Sequence, residues 1–205
     1  MIIYPKKVQK LKIMKKLKIF LGTIFAYMFL AQLVQAEEYV IEKNHASVTW
    51  IADHFGYSHP SGKFTNIEGI ITFDKKNPEK SLVDVVVKVE SLNTGLFKFD
   101  QHLKSADFFN VERYEVAKFV GTKITVTGKR TAKISGDLTI VGVTKPVTLN
   151  AKFNKSGISM ITQKPTIGFS ATGSINRSDF GLNYGLPGVA DKVNLVIEVE
   201  ANRVI

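Results

Sequence analysis

Alternation of apolar and polar residues, sustained over most of the chain, is the feature that most restricts its fold. In "HASVTWIADH", Val48, Trp50, Ala52 and His54 share one parity, and Ser47, Thr49, Ile51 and Asp53 the other. "LVDVVVKVES" sets Val83, Val85, Val87 and Val89 against Asp84, Lys88 and Glu90. The pattern returns in Leu138 and Ile140, in Val147 to Phe153, in Ile167 to Ile175 and in Val193 to Val199. Successive strand side chains point to opposite faces, so each run reads as a strand with one dry and one wet side. With "YVIEK" and "GIITFD", the count reaches about eight or nine strands. "VAKFVGTKITVTG" changes apolar parity across Gly121, which predicts a bulge there. "HFGYSHPSGKF" reads as a loop, "KKNPEKS" as a turn and "GVTKP" as the join between two strands, with Pro146 confined to a strand start or an edge.

One-sided strands at regular spacing build either an antiparallel sandwich or a closed barrel. The barrel is favoured, because closure removes exposed edges. About eight strands leave room for a packed interior or one small ligand. One stretch departs from the rule. In "FKFDQHLKSADFF", Phe99, Leu103, Ala106 and Phe109 or Asn110 fall three or four apart. This predicts a short helix over about residues 100–108, with Asp100 as its N-cap, lying near one end of the barrel. The expected architecture is all-β, an antiparallel eight-stranded barrel with one short helix.

The chain has 205 residues, no cysteine and a formal net charge of +10. Residues 1–36 hold seven lysines and no acid; taking these from the 28 basic residues leaves 21 against 18 acidic ones. A net +3 over the remainder gives no nucleic-acid footprint. The leading segment, "MKKLK" then "IFLGTIFAYMFLA" then "QLVQA", reads as a signal peptide cleaved after Ala36, with Met14 as an alternative start. Its apolar run is short of the roughly 20 residues that span a bilayer, so no stable membrane span is expected after processing; an uncleaved anchor is the competing reading. Residues 37–205 then form a single domain, periplasmic or secreted. Without disulfides, its stability must come from core and sheet, which a chain of about 170 residues can supply by burying roughly 70% of its unfolded surface.

Little in the sequence points to a reaction. His45, His54, His59 and His102 have no paired metal-ligand spacing, and no metal is expected. His54 reads as a core histidine and His59 as a loop residue. "GFSATG" places its serine mid-strand, away from the strand-to-helix turn that a nucleophile elbow needs. Asp100 beside His102 serves better as a helix cap than as a catalytic pair, and Arg177 with Asp179 in "INRSDFG" reads as a loop clasp.

Four stretches, in this order, carry a family resemblance: "HASVTWIADHFGYSHPSGKFTNIEGIITFD", "LNTGLFKFDQHLKSADFFNVERYEVAKF", "SGDLTIVGVTKPVTLNAKF" and "GFSATGSINRSDFGL". The chain resembles the YceI-like proteins over about residues 39–200. That resemblance implies a lipocalin-like barrel and a long apolar tunnel, holding in different members an isoprenoid quinone, a polyprenyl phosphate or a fatty amide, without implying a reaction. It also exposes a departure. Relatives often carry arginine just ahead of the aspartate of the helix, where this chain has Phe99. If that arginine holds a charged head group, this protein is expected to prefer an uncharged one.

Of the fourteen phenylalanines, the eleven in residues 37–205 exceed what a compact barrel needs, whereas a tunnel wants lining along its length. The expected ligand-binding residues are Trp50, Phe55, Phe64, Phe73, Leu96, Phe99, Leu103, Phe108, Phe119, Leu138, Phe169 and Phe180, with His102 donating to a polar head. The expected function is sequestration or transport of an isoprenoid-type or other long-chain amphiphile. Alternatives are an enzyme acting on such lipids, or a stress or adhesion protein with a filled barrel. The expected partner is the lipid, not nucleic acid, with a homodimer left open.

Overall fold

β1 (Glu37–His54) frames the molecule because it pairs on both sides along its length. The computed structural model describes residues 36–204; the signal-peptide reading falls on residues outside that range. On one side β1 runs antiparallel to β10 (Val189–Arg203), from Tyr39 opposite Arg203 to His54 opposite Val189. On the other its first residues pair with β3 (Ile67–Phe73), and Val48 to Ile51 pair with β2 (Ser61–Phe64). β4 (Leu82–Lys88), β6 (Val116–Gly128), β7 (Thr131–Ile140), β8 (Val143–Ile158) and β9 (Pro165–Asn176) complete the circuit back to β10. β1, β3, β4, β6, β7, β8, β9 and β10 thus form a closed antiparallel eight-stranded barrel. β2 lies beside the far half of β1 and carries the two-residue β5 (Leu92–Asn93).

Several departures from the alternation rule have visible causes. "YVIEK" is not a separate strand. β1 bends between Ile41 and Ala46, where four residues bulge outward, tied together by Glu42, which accepts from the Asn44 backbone N–H and side-chain amide. The bulge in β6 falls after Gly121, so Phe119 and Ile124 both face inward despite opposite parity. β7 and β8 meet one residue earlier than "GVTKP" implies, at Val141 and Gly142, both with positive φ (44° and 78°), a two-residue hairpin turn whose second position suits glycine. Pro146 sits four residues into β8, before that strand gains its second partner at Asn150. The end of the "HFGYSHPSGKF" loop is β2, in which Gly62 lies so close to the Trp50 indole that a Cβ there would come within 2.8 Å of the ring.

The helix, α1, spans Phe97–Lys104 instead of about 100–108. Ser105 ends it: its hydroxyl donates to the His102 carbonyl, and its own backbone is extended. Phe108 and Phe109 then follow in turns closed by Phe109 N–H to Leu103 O at 3.0 Å and Asn110 N–H to Ser105 O at 2.8 Å. Asp100 is not the N-cap, which is Leu96. Its carboxylate accepts the Thr94 N–H at 2.7 Å and the Thr94 hydroxyl at 2.6 Å, tying the preceding loop to the first helical turn.

Side chains meet mainly at the two ends of the barrel. Under α1, Trp50, Phe64, Val89, Leu92 and Leu103 pack together. At the opposite end Tyr39, Ile71, Ile167 and Ala201 are buried beside Phe73, Phe153 and Phe169. The Tyr39 hydroxyl donates to Glu37 at 2.6 Å. Burial first, and the Glu37 carboxylate second, push the Tyr39 phenol up to about 12. The folded state therefore keeps this proton at a pH where the unfolded chain has lost it, so stability falls between the ordinary value of 10.0 and about 12. Urea midpoints measured across that interval are expected to fall less steeply in Tyr39→Phe than in the wild type.

Candidate functional site: an apolar cavity inside the barrel

Between the two packed ends the inward side chains do not meet. They enclose a cavity of about 830 Å³, lined from every strand of the ring. Trp50, Phe64 and Phe73 line it, as do Val83, Val85 and Val87 of β4, and Phe119, Ile124 and Val126 of β6. Ile134 and Leu138 contribute from β7, Leu149 and Phe153 from β8, Phe169 and Ala171 from β9, and Leu195 and Ile197 from β10. Among the described residues, no aspartate or glutamate lines the cavity.

The two ends differ. At one, α1 lays Phe99, His102 and Leu103 against the cavity, and the turns after it add Phe108 and Phe109. Aromatic rings interlock there edge to face: Trp50 with Phe99 at 6.2 Å, Phe64 with Phe109 at 5.5 Å, and His102 with both Phe108 and Tyr184 at 5.1 Å. At the other, the hairpin turn between β6 and β7 leaves the inward-facing Val126 42% exposed, so the barrel opens to solvent beside it. Across that mouth, Phe73 stacks on Phe153, and Phe169 meets both edge to face, all within 5.6 Å between ring centres.

Lys75, Lys129 and Arg130 reach the lining at the open mouth, and toward α1 the polar groups are few. The indole N–H of Trp50 is buried with no hydrogen-bond partner among the described residues, which is rare for a buried donor. His102 pairs through Nε2 with Asp107 at 3.0 Å, not with Asp100. Arg177, 5% exposed, is a clasp, but not with Asp179: it donates to the carbonyls of Ala190, Leu182 and Val189. Asp191 accepts the Ser178 N–H at 2.8 Å and the Ser178 hydroxyl at 2.7 Å. Those two bonds, and then the Arg177 charge, hold the Asp191 carboxyl below its ordinary value; burial alone lowers the Arg177 guanidinium. This network fixes the loop that brings Leu182, Tyr184 and Val189 to the cavity. Among the described residues, no three histidine, aspartate or glutamate side chains group as metal ligands would.

Ten of the residues expected at the site do line the cavity: Trp50, Phe64, Phe73, Phe99, His102, Leu103, Phe108, Phe119, Leu138 and Phe169. Three do not. Phe55 follows the end of β1 with a left-handed backbone (φ 55°), which turns its ring out over Gly188 and leaves it 56% exposed. Leu96, at the helix N-cap, is 65% exposed. Phe180 is fully buried, but in a satellite cluster with Ile140 and Leu182 beneath the β9–β10 loop. His54 is exposed at the cavity rim, not a core residue. The aliphatic lining from β4, Ile124, Val126, Ile134 and Leu149, together with Phe153, is not among the expected ligand-binding residues. Applied to aliphatic residues, the alternation that selected Phe119 and Phe169 also selects these. Tyr184, in an irregular loop, has no such signal.

Comparison with known proteins places this geometry. The model of the YceI-like domain matches residues 39–201. Protein YceI of Escherichia coli O157:H7 is 40% identical over 186 residues, covering 89% of this chain and 96% of that protein. The crystal structure of the Campylobacter jejuni YCEI protein superposes with a TM-score of 0.65 at 34% identity, over 75% of this chain and 90% of that one. A polyisoprenoid binding domain from Saccharophagus degradans shares the fold, with a TM-score of 0.61 at 13% identity over 81% of this chain and 98% of that one. With the family model covering nearly the whole barrel and relatives at this identity, the chain belongs to the YceI-like family.

Proposed function

We propose that the protein binds and carries, without chemical change, a long-chain amphiphile of isoprenoid type in the compartment outside the inner membrane. The observation that carries this reading is the cavity itself. About 830 Å³ lies toward the upper end of small-molecule pockets, and its wall is almost wholly aliphatic and aromatic. An interior left unpacked on this scale speaks against a filled barrel. Roughly 0.3 kcal/mol per heavy atom gives on the order of 6 kcal/mol for about twenty buried carbons. Affinity then comes from the tail, and one or two polar groups set the choice of head. The polyisoprenoid binding of the Saccharophagus degradans domain, a barrel of the same fold, is consistent with this chemistry.

At the α1 end the polar groups favour an uncharged head, because Arg177 there is occupied by backbone carbonyls. His102 lies against the cavity beside α1 and can hydrogen-bond a carbonyl or hydroxyl such as a quinone or amide presents, whereas the Trp50 N–H is closed off against Gly62. Phe99 packs on Trp50 at the position where the family resemblance implies an arginine. Phe99→Arg is expected to raise the affinity for a polyprenyl phosphate relative to a quinone of equal tail length by about tenfold, the scale of one charge-assisted hydrogen bond. Competition for a bound apolar fluorophore measures it, and an unchanged ratio contradicts the head-group assignment. The carrier reading is tested in the same assay on the wild type: a polyprenol is expected to displace the fluorophore at one per protein, and no displacement contradicts it.

A further inference from the structure

The antiparallel order of the barrel brings three connections to the mouth opposite α1: the β3–β4 loop, the β6–β7 turn and the β8–β9 hairpin. The hairpin projects Ile158, Met160 and Ile161, which are 63%, 91% and 75% exposed. Its tip is nonetheless held in a defined shape. Ser159 N–H bonds Lys164 O, Gln163 N–H bonds Ser159 O, and the Ser159 hydroxyl accepts the N–H groups of Ile161 and Thr162. Around this apolar tip the chain is basic. The loop contributes Lys75, Lys76 and Lys80, the turn Lys129 and Arg130, and the hairpin Lys155 and Lys164, all exposed. Lys75 bonds Ser156 at 3.3 Å and Arg130 bonds the Phe153 carbonyl at 2.9 Å, so the three connections are laced together at the cavity mouth.

The acids of this end do not cancel that charge. Asp74 is buried in its own loop, accepting the backbone N–H groups of Lys76 and Asn77. Glu37 is paired with Arg203 at 2.7 Å, leaving Glu38, Glu79 and Glu200 against the seven basic side chains. Exposed apolar side chains also occur at the α1 end, in Phe55, Tyr57, Leu96 and Phe97, but there Lys98, Lys104 and Arg113 are matched by Asp53, Glu90, Asp107 and Glu112. A rigid apolar tip ringed by lysines is the arrangement that seats in the head-group region of an anionic bilayer, the side chains entering the acyl boundary and the lysines meeting lipid phosphates. A site for the cargo's own head would need the cations but not an apolar tip turned outward. Among the described residues no helix is long and apolar enough to cross a membrane, so the contact is peripheral.

We infer that the β8–β9 hairpin and its basic surround dock the protein, cavity mouth first, on an anionic lipid bilayer. This rests on the carrier reading, for which it supplies the route by which a lipid reaches the cavity. Flotation with vesicles tests it, on protein purified from the cells that export it. Binding is expected to vesicles of mixed phosphatidylglycerol and phosphatidylcholine, to weaken severalfold on pure phosphatidylcholine and to weaken with added salt. Lys129→Ala with Lys164→Ala is expected to lower the partition coefficient by about thirtyfold. Met160→Ser with Ile161→Ser is expected to lower it by at least about tenfold, while Tyr57→Ser with Phe97→Ser leaves it unchanged. No flotation, equal flotation on both vesicle types, or loss only in the Tyr57 and Phe97 variant overturns the proposal. Capture of N-phenyl-1-naphthylamine by the same preparations separates the two readings: capture without flotation overturns docking alone, and failure of both overturns the carrier reading with it.

Discussion

Ala171→Trp is expected to lower the affinity for a long-chain amphiphile by a hundredfold or more while leaving the protein folded and about as stable as the wild type. Ala171 of β9 stands directly opposite Ala151 of β8, both facing inward beside Leu149 and Phe119. Two small side chains in register leave the tunnel wide at its middle. An indole there projects into space that no side chain fills, and tryptophan suits a strand. If it cuts off about ten carbons of the tail, at roughly 0.3 kcal/mol each, the loss is about 3 kcal/mol, or more than a hundredfold. In a packed core the same enlargement would cost about 1–3 kcal/mol of stability. Fluorophore titration and urea unfolding on one preparation therefore separate a void from a core. Retained binding, or a large loss of stability, contradicts the tunnel.

The largest effect on stability is expected at Arg177. Methionine there keeps the apolar stem but removes every donor, leaving the carbonyls of Ala190, Leu182 and Val189 without their partner. Each buried group left unpaired costs about 1–3 kcal/mol, and losing one charged member of a buried network about 3–5 kcal/mol in all. Urea unfolding of Arg177→Met should show a drop of that size; a midpoint equal to the wild type would show that the clasp is dispensable. Asp191→Asn should cost less. Because the Asp191 carboxyl is held below its ordinary value of 3.8, its contribution is present above that pH and fades as pH falls below it, so variant and wild type should converge in acid.

Much of the inner wall was legible in the sequence because a strand leaves so little choice: once Trp50 faces in, so does Ala52, and once Phe169 does, so does Ala171. The errors lie where strands stop. His54 follows the parity of β1, but its register against β10 slips between Ala52 and His54, and the side chain emerges at the rim. Phe55, Leu96 and Phe180 were placed inside for their residue type, yet each sits in a turn, a helix cap or a loop, where backbone dihedrals and not alternation aim the side chain. The helix was drawn three residues late because Phe108 and Phe109 continue its apolar stripe by another route, through turns. The Arg177 network was half legible. The arginine stood out, but its partners are backbone carbonyls across the loop, which no residue pattern announces.

The central claim is that elongated oily space inside the barrel holds a lipid. Purification from the native host, extraction with organic solvent and mass spectrometry of the extract test it most directly. The expected result is one long-chain amphiphile at close to one per protein, lost in Ala171→Trp; an extract free of such a molecule, or equally rich from both proteins, would contradict the account.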